Sequence, residues 1–131
     1  MSHKSKGINA ERELIHLFWK NNWTAIRTAG SGSNKYPSPD IVAGNIIRKL
    51  AIECKASKNN SIYLLQEDID QIKTYAALFG AEAWFGIRFN NYEWYFLSLD
   101  DIQQTKSNNY VIATDYIKQK GLLFEELIGK F

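Results

Sequence analysis

Two opposite charges interrupt the apolar stretch LAIECKAS in the first half of the chain. Its composition predicts a β-strand. Side chains alternate across a strand, so Glu53 and Lys55 emerge together on the face opposite Cys54. A carboxylate beside an ammonium is a pairing that can act on a metal ion or on a phosphate. Taken alone, the pattern equally fits a solvated pair on a surface strand.

A second carboxylate favours the chemical interpretation. Asp40 opens the preceding predicted strand, and a short hairpin would place it beside Glu53. Two converging carboxylates repel each other unless a cation joins them, and hard oxygen ligands suit Mg²⁺ or Mn²⁺. The backbone carbonyl of Cys54 is a candidate for a further oxygen ligand. Lys55 would then orient a water or stabilise charge growing on a phosphate.

A third acid lies on the first predicted helix. Glu11, Leu14, Ile15 and Phe18 follow the spacing i, i+3, i+4, i+7, so the Glu11 carboxylate shares a stripe with core-facing residues. This spacing predicts that Glu11 approaches the same cation site. The alternative is a carboxylate that only interacts with the helix N-terminal dipole.

The elements that must position these acids are read from periodicity and turn signals. Helices are predicted over 8–22, 65–79 and, as a short closing element, 121–131, and strands over 23–29, 40–44, 49–56, 81–89 and 92–99. A loop rich in Gly, Ser, Asn and Pro joins the first two strands, and Asn90 with Asn91 is expected to turn the last hairpin. The order predicts an α/β fold with a mixed central β-sheet flanked by helices.

Composition limits the class of protein. A chain of 131 residues with 45% hydrophobic residues predicts one globular domain, residues 1–131. We find no apolar run long enough to span a membrane and no signal peptide, which predicts an intracellular, cytoplasmic protein. The one cysteine excludes an internal disulfide and a zinc knuckle.

The charge is unevenly distributed. Residues 1–60 hold ten Lys and Arg against four Asp and Glu, while residues 61–131 hold six against ten. Such asymmetry indicates that one side of the protein meets a polyanion, with chance clustering on a solvated face as the alternative.

The spacing of these residues resembles a known nuclease pattern. Pro39 and Asp40, twelve intervening residues, and then Glu53, Cys54 and Lys55 form a motif similar to that of the PD-(D/E)xK nuclease superfamily. Five blocks resemble the archaeal-type Holliday junction resolvases across nearly the whole chain: KGINAERELIHLF, AIRTAGSGSNKYPSPDIVAG, LAIECKAS, IYLLQEDIDQIKTYAALFG and NYVIATD.

The resemblance implies a restriction-endonuclease-like (resolvase-like) fold and a Mg²⁺- or Mn²⁺-dependent endonuclease that nicks two opposing strands of a four-way DNA junction. At matching positions, Glu11, Asp40 and Glu53 would be the metal-site acids and Lys55 the catalytic lysine. Ser31 matches a serine that enters the active site when its loop closes on DNA, and Ser33 is the alternative holder of that role.

The resemblance also implies DNA contacts. Arg12 and Arg27 match basic residues of the family that serve DNA contact or catalysis. The full predicted set of phosphate contacts is Lys4, Lys6, Arg12, Arg27, Lys35 and Lys58, with Lys20 as a further candidate. Leu65 and Gln66 stand where some relatives carry a pair of arginines, which indicates weaker or shorter contact there.

Paired nicks imply a homodimer, because two active sites related by a two-fold axis match two opposed strands. The aromatic residues of the last two long strands are candidates for its interface, although most are expected to fill the core: Trp84, Phe85, Trp94, Tyr95 and Phe96. A recombination helicase or a sliding clamp is considered as a further partner, and a viral origin stays open.

Two alternative functions remain open at this stage. One is a related nuclease that acts on DNA ends, flaps or mismatches, which the same three acids would support. The other is a non-catalytic DNA-binding subunit on a nuclease fold. Such subunits typically lose an acid or the lysine, whereas all four are present here.

Overall fold

A computed structural model describes residues 3–28, 35–90, 93–104 and 110–129. Its helices are α1 (His3–Lys20), α2 (Gln66–Phe79), α3 (Thr114–Lys120) and α4 (Phe124–Leu127), and its strands are β1 (Thr24–Arg27), β2 (Ile41–Gly44), β3 (Lys49–Ser57), β4 (Ser61–Leu64), β5 (Glu82–Phe89), β6 (Tyr95–Ser98) and β7 (Tyr110–Ala113). No described helix is long and apolar enough to cross a lipid bilayer.

The central sheet has five strands in the order β1-β2-β3-β5-β6. β3 and β5 run parallel, and the other neighbours are antiparallel. A parallel pair needs a crossover, which here contains β4 and α2. The predicted mixed sheet flanked by helices is therefore confirmed. β4 pairs with β7 in a separate two-stranded sheet.

Strand β3 is buried on both faces. Leu50 and Ile52 pack with Leu14 and Phe18 of α1, whereas Ala51 faces the core beneath α2, which includes Ile72. A strand covered on both faces reads as a continuous apolar run, as LAI does here. The two hydrophobic cores thus lie on opposite sides of the strand that carries Glu53 and Lys55.

Several predicted boundaries require correction. α1 begins at His3 and ends at Lys20, rather than spanning 8–22, and β1 covers only Thr24–Arg27. The prediction contained neither β4 nor β7 nor α3. β4 and β7 form a separate two-stranded sheet, so neither is a buried central strand of the kind that a continuous apolar run marks. α2 ends as predicted, because Gly80 has a φ of 79°, the left-handed conformation that glycine favours.

The aromatic residues of β5 and β6 mainly fill the core, as expected. Phe85, Trp94 and Phe96 are buried, while Trp84 and Tyr95 are partly buried and pack against the cores. Asn90 has a φ of 51°, as the predicted turn requires, and Asn91 lies outside the described residues.

The turn between β2 and β3 is held by side chains. The Asn45 Oδ1 accepts the backbone N–H groups of Ile47 and Arg48, at 2.9 and 2.8 Å. The Arg48 guanidinium forms two 2.8 Å bonds to Glu82 of β5 and donates to the Leu127 carbonyl of α4. These bonds fix the hairpin against two other elements and so fix its register.

Candidate active site

Asp40 lies where the β2–β3 hairpin opens. The register pairs Ile41 with Ile52, which sets Asp40 beside Glu53. The Asp40 Oδ2 accepts the Cys54 backbone N–H at 2.9 Å, and the Asp40 carbonyl accepts the Thr28 N–H at 2.8 Å. The Asp40 carboxyl group is close enough to that of Glu53 to raise the Glu53 pKa. The structure therefore brings the two predicted acids together.

Glu11 reaches the same point from α1. One carboxylate oxygen each from Glu11 and Asp40 and the sulfur of Cys54 all lie within 4.8 Å of one another. The Arg27 Nε donates to the Glu11 Oε2 at 3.3 Å. Because α1 begins at His3, Glu11 lies two turns inside the helix, so the alternative of a dipole-bound carboxylate at the helix end is wrong.

Glu53 and Lys55 leave β3 on the α2 side of the sheet. Both side chains are partly buried, and the Lys55 Nζ lies 3.4 Å from the Asp68 Oδ1 of α2. Cys54 instead packs against the core beneath α1. Glu53 and Lys55 thus lie on the face of β3 opposite Cys54, as the alternation predicted. The alternative of a freely solvated pair is wrong, because both side chains are partly buried.

Burial and the charge of Asp40 raise the pKa values of both Glu53 and Glu11. Burial, followed by the hydrogen bond and the charge of Asp40, raises the pKa of Glu53 to about 9, while Lys55 opposes the shift. Burial and the charge of Asp40 likewise raise the pKa of Glu11, while Arg27 lowers it. Burial raises the pKa of the Cys54 thiol well above its usual value, and the neighbouring acids add to this. The positive charges of Arg27 and Lys55 therefore do not balance the negative charges of the acids.

The donor set fits a hard divalent cation. Glu11 and Asp40 bring carboxylate oxygens within 4.8 Å of each other, whereas Glu53 adjoins Asp40 and is not part of that close group. Carboxylates are the ligands preferred by Mg²⁺ and Mn²⁺, and a dication would offset the Asp40 charge that raises the pKa values of Glu11 and Glu53. Cys54 approaches the acids through its thiol and its backbone N–H. The expected use of its backbone carbonyl as a ligand stays a prediction.

The predicted DNA-contacting residues lie at different places. Arg12, Lys35 and Lys58 are exposed, whereas Arg27 is partly buried and turned toward Glu11. The Lys35 Nζ lies 5.8 Å above the ring of Tyr36. Ser31 and Ser33, and the side chains of Lys4 and Lys6, lie outside the part of the chain that the structure describes, so their predicted roles stay predictions.

Sequence reasoning missed Asp68. Its Oδ2 accepts the Leu65 backbone N–H at 2.9 Å while its Oδ1 faces Lys55. The signal that could have identified it is its position as the third residue of α2, where an acid commonly reaches back to cap the helix.

Comparisons with known proteins agree with this geometry. The model of the family described as "Archaeal holliday junction resolvase (hjc)" matches residues 2–131. The crossover junction endodeoxyribonuclease Hjc of Archaeoglobus fulgidus is 40% identical over 98% of this chain and 93% of its own length. The Hjc of Methanocaldococcus jannaschii is 35% identical over 99% and 92%. The solved structure of the A. fulgidus Hjc superposes with a TM-score of 0.86 at 37% identity, covering 96% of this chain and 98% of the other.

Proposed function

Because the chain belongs to the archaeal Holliday junction resolvase family, we propose that it is a crossover junction endodeoxyribonuclease that hydrolyses phosphodiester bonds in four-way DNA junctions. The observation that carries this proposal is the position of Asp40 at the open end of one hairpin, where it lies beside both Glu11 and Glu53, with Lys55 alongside. We further propose that Mg²⁺ is the cofactor, with Mn²⁺ able to replace it.

The roles follow from position and charge. Asp40, Glu53 and Glu11 would hold the metal, which when bound supplies electrostatic stabilisation of the phosphate and a stronger water nucleophile. Arg27 keeps Glu11 oriented through their 3.3 Å ion pair. The Lys55 ammonium offsets negative charge that develops on the phosphate in the transition state. Ser31 would act on the bound DNA at this site, with Ser33 as its alternative.

The test is a strand-nicking assay on a synthetic four-way junction. Glu53→Gln and Asp40→Asn should abolish cleavage and leave junction binding largely intact, since each removes a metal ligand rather than a phosphate contact. The matched control is Glu93→Gln, which neutralises an exposed glutamate and should cut normally. Near wild-type cleavage by either site variant would show that the assignment is wrong.

Two further arms of the assay separate the alternatives. A junction cut much faster than a linear duplex or a flap supports resolvase activity over a nuclease of other branched or ended DNA. Cleavage that requires added Mg²⁺ distinguishes the enzyme from a non-catalytic subunit, which would bind the junction without cutting it.

We propose a homodimer built on an apolar surface at the closed end of the hairpin. This surface, the isoleucine patch, consists of Ile26, Ile46, Ile47 and Phe79, which line one groove. Ile46 and Ile47 are 103% and 87% exposed, although the turn that carries them is held rigidly by Asn45 and Arg48. Large apolar side chains in a fixed turn indicate a protein contact.

The patch lies at the opposite end of β2 from Asp40, so a dimer formed through it would leave both active sites open to DNA. Ile47→Asp should convert a dimer into a 15.1 kDa monomer in light scattering at micromolar concentration and reduce paired nicks to single ones. Tyr63→Asp, which places the same charge at an exposed aromatic position on β4, should remain dimeric. A wild-type protein that is monomeric would contradict the proposal.

Phosphate contacts are proposed for the basic residues of the first half of the chain: Lys4, Lys6, Arg12, Arg27, Lys35 and Lys58. Their contribution should weaken steeply with salt and be independent of sequence. A protein that contacts DNA phosphates in this way would be located inside the cell, in association with DNA. The expectation of a helicase or a sliding clamp as a partner stays a prediction, and no feature of the described residues identifies either.

A further inference from the structure

Asp68 connects the proposed catalytic lysine to the start of α2. Its Oδ1 lies 3.4 Å from the Lys55 Nζ, and its Oδ2 accepts the Leu65 backbone N–H at 2.9 Å. The two paired side chains are only 31% and 21% exposed. One carboxylate thus caps a helix and holds an ammonium that leaves β3 two residues after Glu53.

A capping role alone does not account for a charged group at this position. The Asp68 carboxylate adds a further negative charge to a site that already holds three acids. A neutral amide would accept the Leu65 N–H without that penalty. What the carboxylate adds is its electrostatic attraction for the Lys55 ammonium, 3.4 Å away.

The pair is also looser than others on the chain. Arg48–Glu82 and Arg88–Glu13 approach to 2.8 Å, whereas the two ion pairs beside the acids are longer, at 3.3 Å for Arg27–Glu11 and 3.4 Å for Lys55–Asp68. A lysine side chain has several rotatable bonds and loses much conformational freedom when it is fixed in one place. Asp68 restricts that freedom and still leaves the ammonium able to turn toward a phosphate.

We propose that Asp68 is a positioning residue for the reaction. It holds the Lys55 ammonium on the Glu53 side of β3 and ties it to the first turn of α2, so that the lysine is already in place when DNA binds. This inference rests on the proposed function, in which Lys55 is the catalytic ammonium.

The test is Asp68→Asn, which keeps an oxygen acceptor for the Leu65 N–H and removes the charge. Asp70→Asn is the matched control, because Asp70 lies on the same helix, is exposed and bonds only to Gln66 among the contacts described for it. At saturating enzyme and Mg²⁺, D68N should cut a four-way junction on the order of 10- to 100-fold more slowly than wild type. Its junction Kd should stay within about twofold and its Tm within a few degrees, and D70N should match wild type throughout.

A double-mutant cycle shows whether Asp68 acts through Lys55. In a Lys55→Ala background, D68N should slow the residual single-turnover rate no further, because the group that it positions is absent. Equal slowing in both backgrounds would overturn the proposal. Should D68N fail to fold, Asp68→Glu retains the charge but displaces it by one methylene, and its rate should be below that of wild type at an unchanged Kd. A wild-type rate for D68E would then overturn the proposal.

The possible failures are distinguishable. If Lys55→Ala cuts far more slowly than wild type while D68N cuts at the wild-type rate, Asp68 has no positioning role and the proposed function stands. If Lys55→Ala itself cuts at the wild-type rate, the assignment of the catalytic lysine is wrong and the role of Asp68 falls with it.

Discussion

Neutralising Glu53 should stabilise the protein in the absence of divalent metal, although it should abolish cleavage. The pKa of Glu53 is strongly raised, because burial and Asp40 together bring it to about 9 from an ordinary 4.5. In Glu53→Gln the side chain is permanently neutral and retains an N–H donor for the Asp40 carboxylate. The folded state then no longer has to take up a proton that the unfolded chain does not hold.

The magnitude follows from linkage. Between pH 4.5 and pH 9 the folded protein binds one more proton at Glu53 than the unfolded chain does, so wild-type stability falls as pH rises through this window. At about 1.4 kcal/mol per pH unit, the loss accumulated by pH 7 is roughly 3 kcal/mol. For a chain of this size, that difference corresponds to a Tm increase for Glu53→Gln on the order of 10 °C.

The assay is thermal and urea unfolding in EDTA at about pH 5.5, 7 and 8.5. The stability difference between Glu53→Gln and wild type should widen with each step in pH. Glu93→Gln, an exposed glutamate, should show no such widening. A difference that is independent of pH, or a variant less stable than wild type at pH 7, would refute the pKa argument.

Two other predictions follow from the same packing and electrostatics. Because Glu53 holds a proton at pH 7, Mg²⁺ binding should release about one proton per site, measured by calorimetry in two buffers of different ionisation enthalpy; a buffer-independent heat would contradict this. Gly86→Ala should destabilise the fold by about 1–3 kcal/mol in urea unfolding, since its Cβ would lie 3.2 Å from Phe96 and 3.3 Å from Ile52. Wild-type stability for this variant would show that the strand yields more easily than the packing implies.

Much of the site was predictable because it depends on local periodicity. Alternation along β3 placed Glu53 and Lys55 on one face, and the helical stripe through Leu14 and Phe18 carried Glu11 toward the sheet. These patterns survive folding because each is fixed by the burial of apolar residues on the same element. The same reasoning identified the hairpin that brings Asp40 beside Glu53.

The features that sequence analysis missed depend on contacts between segments that are far apart in the chain. Tyr63 and Val111 face each other across β4 and β7, which are 4 residues each and join segments far apart in the chain. Short strands that pair only with one another have little intrinsic signal. Asp68 was missed for a related reason, since its partner Lys55 lies on another element and only its capping position is visible locally.

The hairpin register decides whether the site exists at all. Glu11 approaches from the α1 side of β3 and Glu53 lies on the α2 side, and Asp40 is the acid in contact with both. A slip of one residue between β2 and β3 would exchange the two faces and bury a charge in one of the cores. The bonds of Asn45 and Arg48 at the closed end of the hairpin therefore stabilise the geometry of the acids at its open end.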